Sequence, residues 1–124
     1  MESMGTVSTQ KGDFDFQSTD DVIEFVQTAA QEQGELWISS EQPYPCMAVC
    51  INGNHAAVNF FQAEGGDMWL SYNDENQEEV TFMADGDEWR PDASAVIDAD
   101  AMYACIREFL DTHERPSCIQ WQEL

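Results

Sequence analysis

Met47-Ala48-Val49-Cys50-Ile51-Asn52-Gly53-Asn54-His55-Ala56-Ala57-Val58-Asn59-Phe60-Phe61-Gln62 is the stretch that decides the fold. The apolar run Met47 to Ile51 meets Asn52-Gly53, the dipeptide that most strongly favours a tight hairpin turn. The return segment alternates Ala56, Val58 and Phe60 on one side with His55, Ala57, Asn59 and Phe61 on the other. A period of two is the pattern of a strand with one face turned to a core. The longest apolar run is far too short to span a bilayer, so the reading is an antiparallel hairpin of a water-facing sheet.

Working outward, Gly65-Gly66 turns the chain and Met68 to Tyr72 is predicted as a strand. Asn73 to Asn76 is a loop. Val80 to Ala84 follows as a further strand, closed by Asp85-Gly86-Asp87. On the other side, Glu35 to Ser39 around Trp37 is a short strand, and Pro43 and Pro45 allow the next to begin only after them. Together these make a meander of about four antiparallel strands.

Helices flank the meander. Ser18 or Thr19 is placed to cap a helix whose first turn carries Asp20, Asp21 and Glu24. Val22, Phe25, Val26, Ala29 and Ala30 share one face of it, and Gly34 is placed to end it in a left-handed conformation. A second helix is predicted from Asp98, with Ala99, Met102, Ile106, Phe109 and Leu110 at helical spacing and Arg115-Pro116 as its stop. Cys118 to Trp121 reads as a last strand. Residues 1–17 read as a loose leader, with a short edge strand where Phe14 and Phe16 alternate with Asp13 and Asp15. The expected class is α+β: one domain over residues 1–124, with an antiparallel meander of about four to six strands packed against two main helices. One sheet face would be covered and the other at least partly open.

The charge is extreme. The 124 residues carry 25 Asp and Glu against Lys11, Arg90, Arg107 and Arg115, a net charge of −21. Self-repulsion of that size disfavours the compact state, and its natural return is fast, steered binding to a basic partner. Solubility or adaptation to high salt is the plainer reading. Direct binding to nucleic acid or an anionic membrane is disfavoured, because both need basic patches. Met1 to Phe16 lacks the basic start and apolar stretch of a secretory signal, so a cytoplasmic protein is expected. Cys46, Cys50, Cys105 and Cys118 show no compact disulfide spacing. In a reducing compartment they read most simply as small buried hydrophobes, with a disulfide or a metal role as the alternatives.

No catalytic constellation is apparent. His55 and His113 stand in no recognisable pattern, and His55 reads as a solvent-facing strand residue. Asp85-Gly86-Asp87-Glu88 and Asp13-Phe14-Asp15 lack the ligand spacing of a calcium loop. There is no phosphate loop, nucleophile elbow or nucleophile–base pair. An enzyme, a cofactor and a metal are not expected.

The last third carries a sharper signal. An Ala-containing helix ends in Phe109-Leu110, Thr112 follows, then Arg115-Pro116, then a strand with Ile119 and Trp121 just before the terminus. This ending resembles the first-numbered immunity-protein family of bacterial polymorphic toxin systems, and within it the immunity proteins of deaminase toxins. The resemblance implies a cytoplasmic, non-enzymatic protein that binds a cognate toxin domain and prevents its activity. Such a toxin would act on nucleic acid and so carry a basic groove, where an acidic surface can compete.

The expected partner-binding residues are Asp74, Glu75, Glu78 and Glu79 around one turn, and Asp85, Asp87, Glu88 and Asp92 around the next. Trp89, flanked by acids, is either an aromatic anchor or a core residue at a strand end. The expected assembly is a monomer in a 1:1 complex with the toxin. The rival reading is a small acidic chaperone of a secreted effector, which would form a homodimer with an exposed apolar patch. A nucleic-acid mimic acting on another enzyme differs from immunity mainly in its target.

Overall fold

The structure, a computed structural model, describes residues 5–9, 12–16, 18–29, 34–39, 44–62, 68–84 and 87–123. Its elements in chain order are β1 (Gly5–Thr9), β2 (Gly12–Phe16), α1 (Thr19–Ala29), β3 (Gly34–Ser39), β4 (Cys46–Asn52), β5 (His55–Phe61) and β6 (Met68–Tyr72). Then follow β7 (Phe82–Ala84), β8 (Asp87–Trp89), a 3-10 turn (Ala93–Ala95), β9 (Ile97–Asp98), α2 (Ala99–Thr112) and β10 (Gln120–Glu123). The α+β class is as the sequence predicts.

The central hairpin forms, with Asn52 opposite His55 and Met47 opposite Phe60, so that Gly53 and Asn54 are the two central turn residues. Gly53 takes a left-handed φ of 63° at the first central position of the turn, where a residue with a Cβ would be strained. Around it the main sheet has the order β10-β6-β5-β4-β3-β1-β2, with β9 paired to the start of β5. It is therefore larger than four to six strands.

Three expectations are corrected by this topology. The supposed leader is a hairpin: β1 pairs β2 on one side and β3 on the other. Val7 is fully buried, and a Cβ added at Gly5 would lie 2.9 Å from the Leu110 side chain. That close approach locks β1 against α2, and polar composition hid it because only one residue of the strand is a large apolar one. Gly34 opens β3 opposite Ile51 instead of ending the first helix. The segment Val80 to Ala84 does not extend the meander, because β10 takes the free edge of β6. Instead β7 and β8 form a separate two-stranded sheet. Pro43, Gly65, Gly66 and Ala30 lie outside the described residues.

The helices form as expected. Ser18 Oγ accepts the Asp21 N–H at 3.2 Å, capping α1. α2 ends at His113, which is left-handed (φ 58°) and donates its N–H to the Phe109 carbonyl at 2.7 Å, so the stop comes before Arg115-Pro116. Both helices lie on one sheet face. Val22, Ile23 and Val26 from α1 and Met102, Cys105, Ile106, Phe109 and Leu110 from α2 bury Leu36, Ile38, Met47, Val49, Ile51, Val58 and Phe60. With 25 acids against four bases, an excess of 21, there is little scope for ion pairing. The α1–α2 bridge from Arg107 Nη1 to Asp20 Oδ1 (3.0 Å) is between exposed groups and contributes little.

The C-terminal motif is structural. Trp121 is half-buried, 6.2 Å from the Phe60 ring, and its Nε1 donates to the Pro116 carbonyl at 2.7 Å. The Arg115 guanidinium lies 4.7 Å from the Trp69 ring centroid, and Glu108 accepts the Ser117 N–H. The matched ending thus folds the chain after α2 back onto the core.

The cysteine expectation holds for three of the four. Cys46, Cys50 and Cys105 are buried and Cys118 is exposed, with the Cys105 and Cys118 sulfurs 3.5 Å apart. Burial pushes the Cys50 thiol up to about 12, helped by the Glu35 carboxylate beside it. Burial also raises Cys46, and raises Cys105, which faces Cys118 and Glu108 as well. A maleimide should therefore label the native protein at Cys118 alone, and Cys118→Ser should abolish labelling, as intact-mass spectrometry would read. Labelling of two or more thiols in the folded protein would contradict this packing.

Candidate functional site

Two acidic segments project from the sheet, and the structure fixes each by a different device. The turn after β6 is held to the 3-10 turn. Asn73 donates its N–H to the Ser94 carbonyl at 2.5 Å, and Asn76 Nδ2 donates to the carbonyls of Ala93 (2.7 Å) and Glu78 (2.9 Å). Asn73 Oδ1 also accepts the Glu75 N–H at 3.2 Å, a local side-chain turn that Asn is suited to make. Beneath it the buried Ser71 Oγ donates to the Ala95 carbonyl (2.7 Å) and accepts the Val58 N–H (3.0 Å). Neither Asn76 nor Ser71 stands out in the sequence, since their partners are backbone groups distant along the chain.

These bonds bring the segments 73–79 and 92–95 together. Asp74, Glu75, Glu78, Glu79 and Asp92 are all exposed. Asp74 and Glu75 line a groove of ≈ 290 Å³ with Tyr72, Ile97, Asp98 and Ala101. Asp98, expected only as a helix start, adds a third carboxylate there. It stands at the N-cap of α2 without a side-chain capping bond, and it pairs in register with the half-buried His55 of β5.

The second segment is the β7–β8 hairpin. It lies on the sheet face opposite the helices, where Val80, Phe82 and Val96 bury Cys50 and Ala57. Asn52 Nδ2 donates to the Thr81 carbonyl at 2.8 Å and Arg90 Nε to Thr81 Oγ1 at 3.1 Å, tying the hairpin down. Asp87 and Glu88 are exposed on β8, opposite Ala84 and Met83. Trp89 is half-buried and packs on Phe82 with ring centroids 6.2 Å apart, so it contributes to this second cluster. Asp85 lies outside the described residues.

The same face holds residues that sequence reading did not single out as a site. Strand register places Glu35, Trp37 and Ser39 of β3 beside Cys50, Ala48 and Cys46 of β4, and Asp13 and Asp15 of β2 beside Ser8 and Thr6 of β1. Thr6 Oγ1 donates to Asp15 Oδ1 at 2.8 Å across that edge. Alternation within β2 and β3 was the available signal. It does not say which face stays open.

Among the described residues no group of three or more His, Cys, Asp or Glu is arranged to hold a metal ion, and no helix is long and apolar enough to cross a membrane. Chemically, this arrangement offers exposed carboxylates on a held backbone, which suits interaction with cationic groups.

Among curated proteins none matches the chain. A protein-family model does: that of Immunity protein Imm1, over residues 10–123. The match runs through β2, both helices, the sheet and the C-terminal strand, and so through nearly all of the architecture described above; the chain belongs to the Imm1 immunity protein family.

Proposed function

We propose that this immunity protein neutralises a nucleic-acid-targeting toxin domain, a deaminase, by occupying the basic groove with which that enzyme holds its substrate. The observation that carries the reading is the net charge of −21, much of it displayed on segments that the backbone holds in place. An enzyme acting on nucleic acid must neutralise phosphates with Lys and Arg. Carboxylates carried on a backbone already held in place can take the position of those phosphates at a reduced ordering cost. Opposite fields also raise the association rate, which matters when the target is lethal before it is bound.

In this reading Asp74, Glu75, Glu78, Glu79, Asp85, Asp87, Glu88, Trp89 and Asp92 form the toxin-facing surface. The protein acts in the cytoplasm as a monomer in a 1:1 complex, binds no nucleic acid itself, and inhibits without catalysis or a cofactor. The test is co-expression with the toxin domain encoded beside its gene, scoring survival and co-purification. Rescue with a stoichiometric complex is expected. Death of the cells, with no complex and a stable homodimer of this chain, would overturn the reading in favour of an effector chaperone.

A further inference from the structure

The sheet face away from the helices is only partly covered. The β7–β8 hairpin shields the rung in which Cys50 pairs with Ala57. One rung further along, cover ends: Trp37, opposite Ala48, is 39% exposed. Its indole stacks on Phe61 with centroids 5.3 Å apart and planes 21° from parallel. Met68, paired with Phe61, is also 39% exposed, and Tyr44, just before β4 at the same end, 37%. Two of the four large exposed hydrophobics among the described residues, Trp37 and Met68, thus meet at Phe61. Scattered exposed apolar residues are ordinary, whereas a contiguous aromatic patch on so charged a protein marks a contact surface.

Among the described residues the charge around this patch has one sign. Sheet positions on this face carry Asp13, Asp15 and Glu35 and no Lys or Arg. The neighbouring hairpin adds Asp87 and Glu88. Arg107 and Arg115 are engaged on the helix side, with Asp20 and Trp69, and Arg90 with Thr81. The Trp37 Nε1 donates to Glu35 Oε1 at 3.1 Å, which holds a carboxylate beside the exposed indole. An aromatic face with an adjacent carboxylate is the environment a guanidinium takes best, because it can stack and pair at once.

We propose that the toxin docks on this open sheet face, seating an arginine-bearing basic segment on the Trp37–Phe61 stack with Glu35, Asp13 and Asp15 meeting its charge. This rests on the toxin-binding reading and adds to it a central anchor that the acidic turns lack. The turns then steer the encounter, and the aromatic patch holds the complex.

The test uses the full chain and a catalytically inactivated form of the toxin domain encoded beside its gene. Trp37→Ala is expected to raise Kd by about 30-fold or more through faster dissociation, the scale of an interface hot spot. Asp111→Ala, on the exposed side of α2, should leave Kd within about 2-fold. Hydroxyl-radical footprinting of the unmutated chain should show Trp37 and Met68 protected in the complex, a readout that stands even if Trp37→Ala fails to fold. A complex in which both residues stay as reactive as in the free chain would overturn the proposal while leaving toxin binding intact. Protection in the free chain that tracks a homodimer, with none added by toxin, would assign the face to a second copy and equally overturn it. No complex at all would remove the toxin-binding reading and this inference with it.

Discussion

Phe60→Ala is expected to cost about 4 kcal/mol of folding free energy, the range for deleting a fully buried aromatic ring. Phe60 is completely buried in β5. Its ring lies 5.9 Å from Trp69, 6.1 Å from Phe109 and 6.2 Å from Trp121. Rings from β6, α2 and the C-terminal strand therefore all pack against it. Truncation leaves a cavity bounded by three large rings, each fixed elsewhere: Trp121 by its bond to Pro116, Trp69 by its place in β6, Phe109 by α2. None can move in to fill the space without giving up its own contacts, so collapse offsets little of the loss. A domain's total stability is about 5–15 kcal/mol, so the variant would lose a large fraction of it. Urea unfolding should show a lower midpoint at unchanged slope. A loss below about 1 kcal/mol would mean that the rings do repack.

Reversing Glu78, Glu79, Asp87 and Glu88 to lysine should slow association with the toxin domain by about 10- to 100-fold at low salt and flatten its salt dependence. All four are exposed in the free chain, so during approach they act on the toxin through their long-range field, before any contact forms. Such steering is screened over about 10 Å at 0.1 M salt. Stopped-flow measurements at two ionic strengths would therefore separate it from contact energy. The dissociation rate should change far less. An unchanged association rate would mean that steering resides in other carboxylates, with Asp13, Asp15 and Glu35 the next to reverse. The fold should survive the reversals, because none of the four side chains packs in either core cluster.

What the sequence revealed follows from how local its causes are. The β4–β5 hairpin, the Met68–Tyr72 strand and α2 rest on short-range patterns, and each was legible almost to the residue. The N-terminal hairpin was not, because Val7 is the lone large apolar residue of β1, and its strand partner Ile38 and the Leu110 side chain beside Gly5 are far along the chain. The fate of Val80 to Ala84 was equally hidden. Its alternation marks a strand, but only the competition of β10 for the edge of β6 decides where that strand goes. The acidic turns were identifiable by composition, whereas their anchoring by Asn76 and Ser71 depends on backbone carbonyls that no pattern announces. Trp37 was visible as a strand residue. That it faces open solvent follows from where the β7–β8 hairpin stops.

Among the described residues the sheet ends on one side at β2, whose row on the open face is Asp13 and Asp15. An unpaired strand edge is a template on which a second molecule can add its own strand. Here an approaching copy of this edge would set carboxylate against carboxylate, in a protein that already repels itself. The same charges that favour a foreign basic surface thus keep identical molecules apart. Charge of one sign along this edge therefore opposes its use as a template for a second copy of the chain.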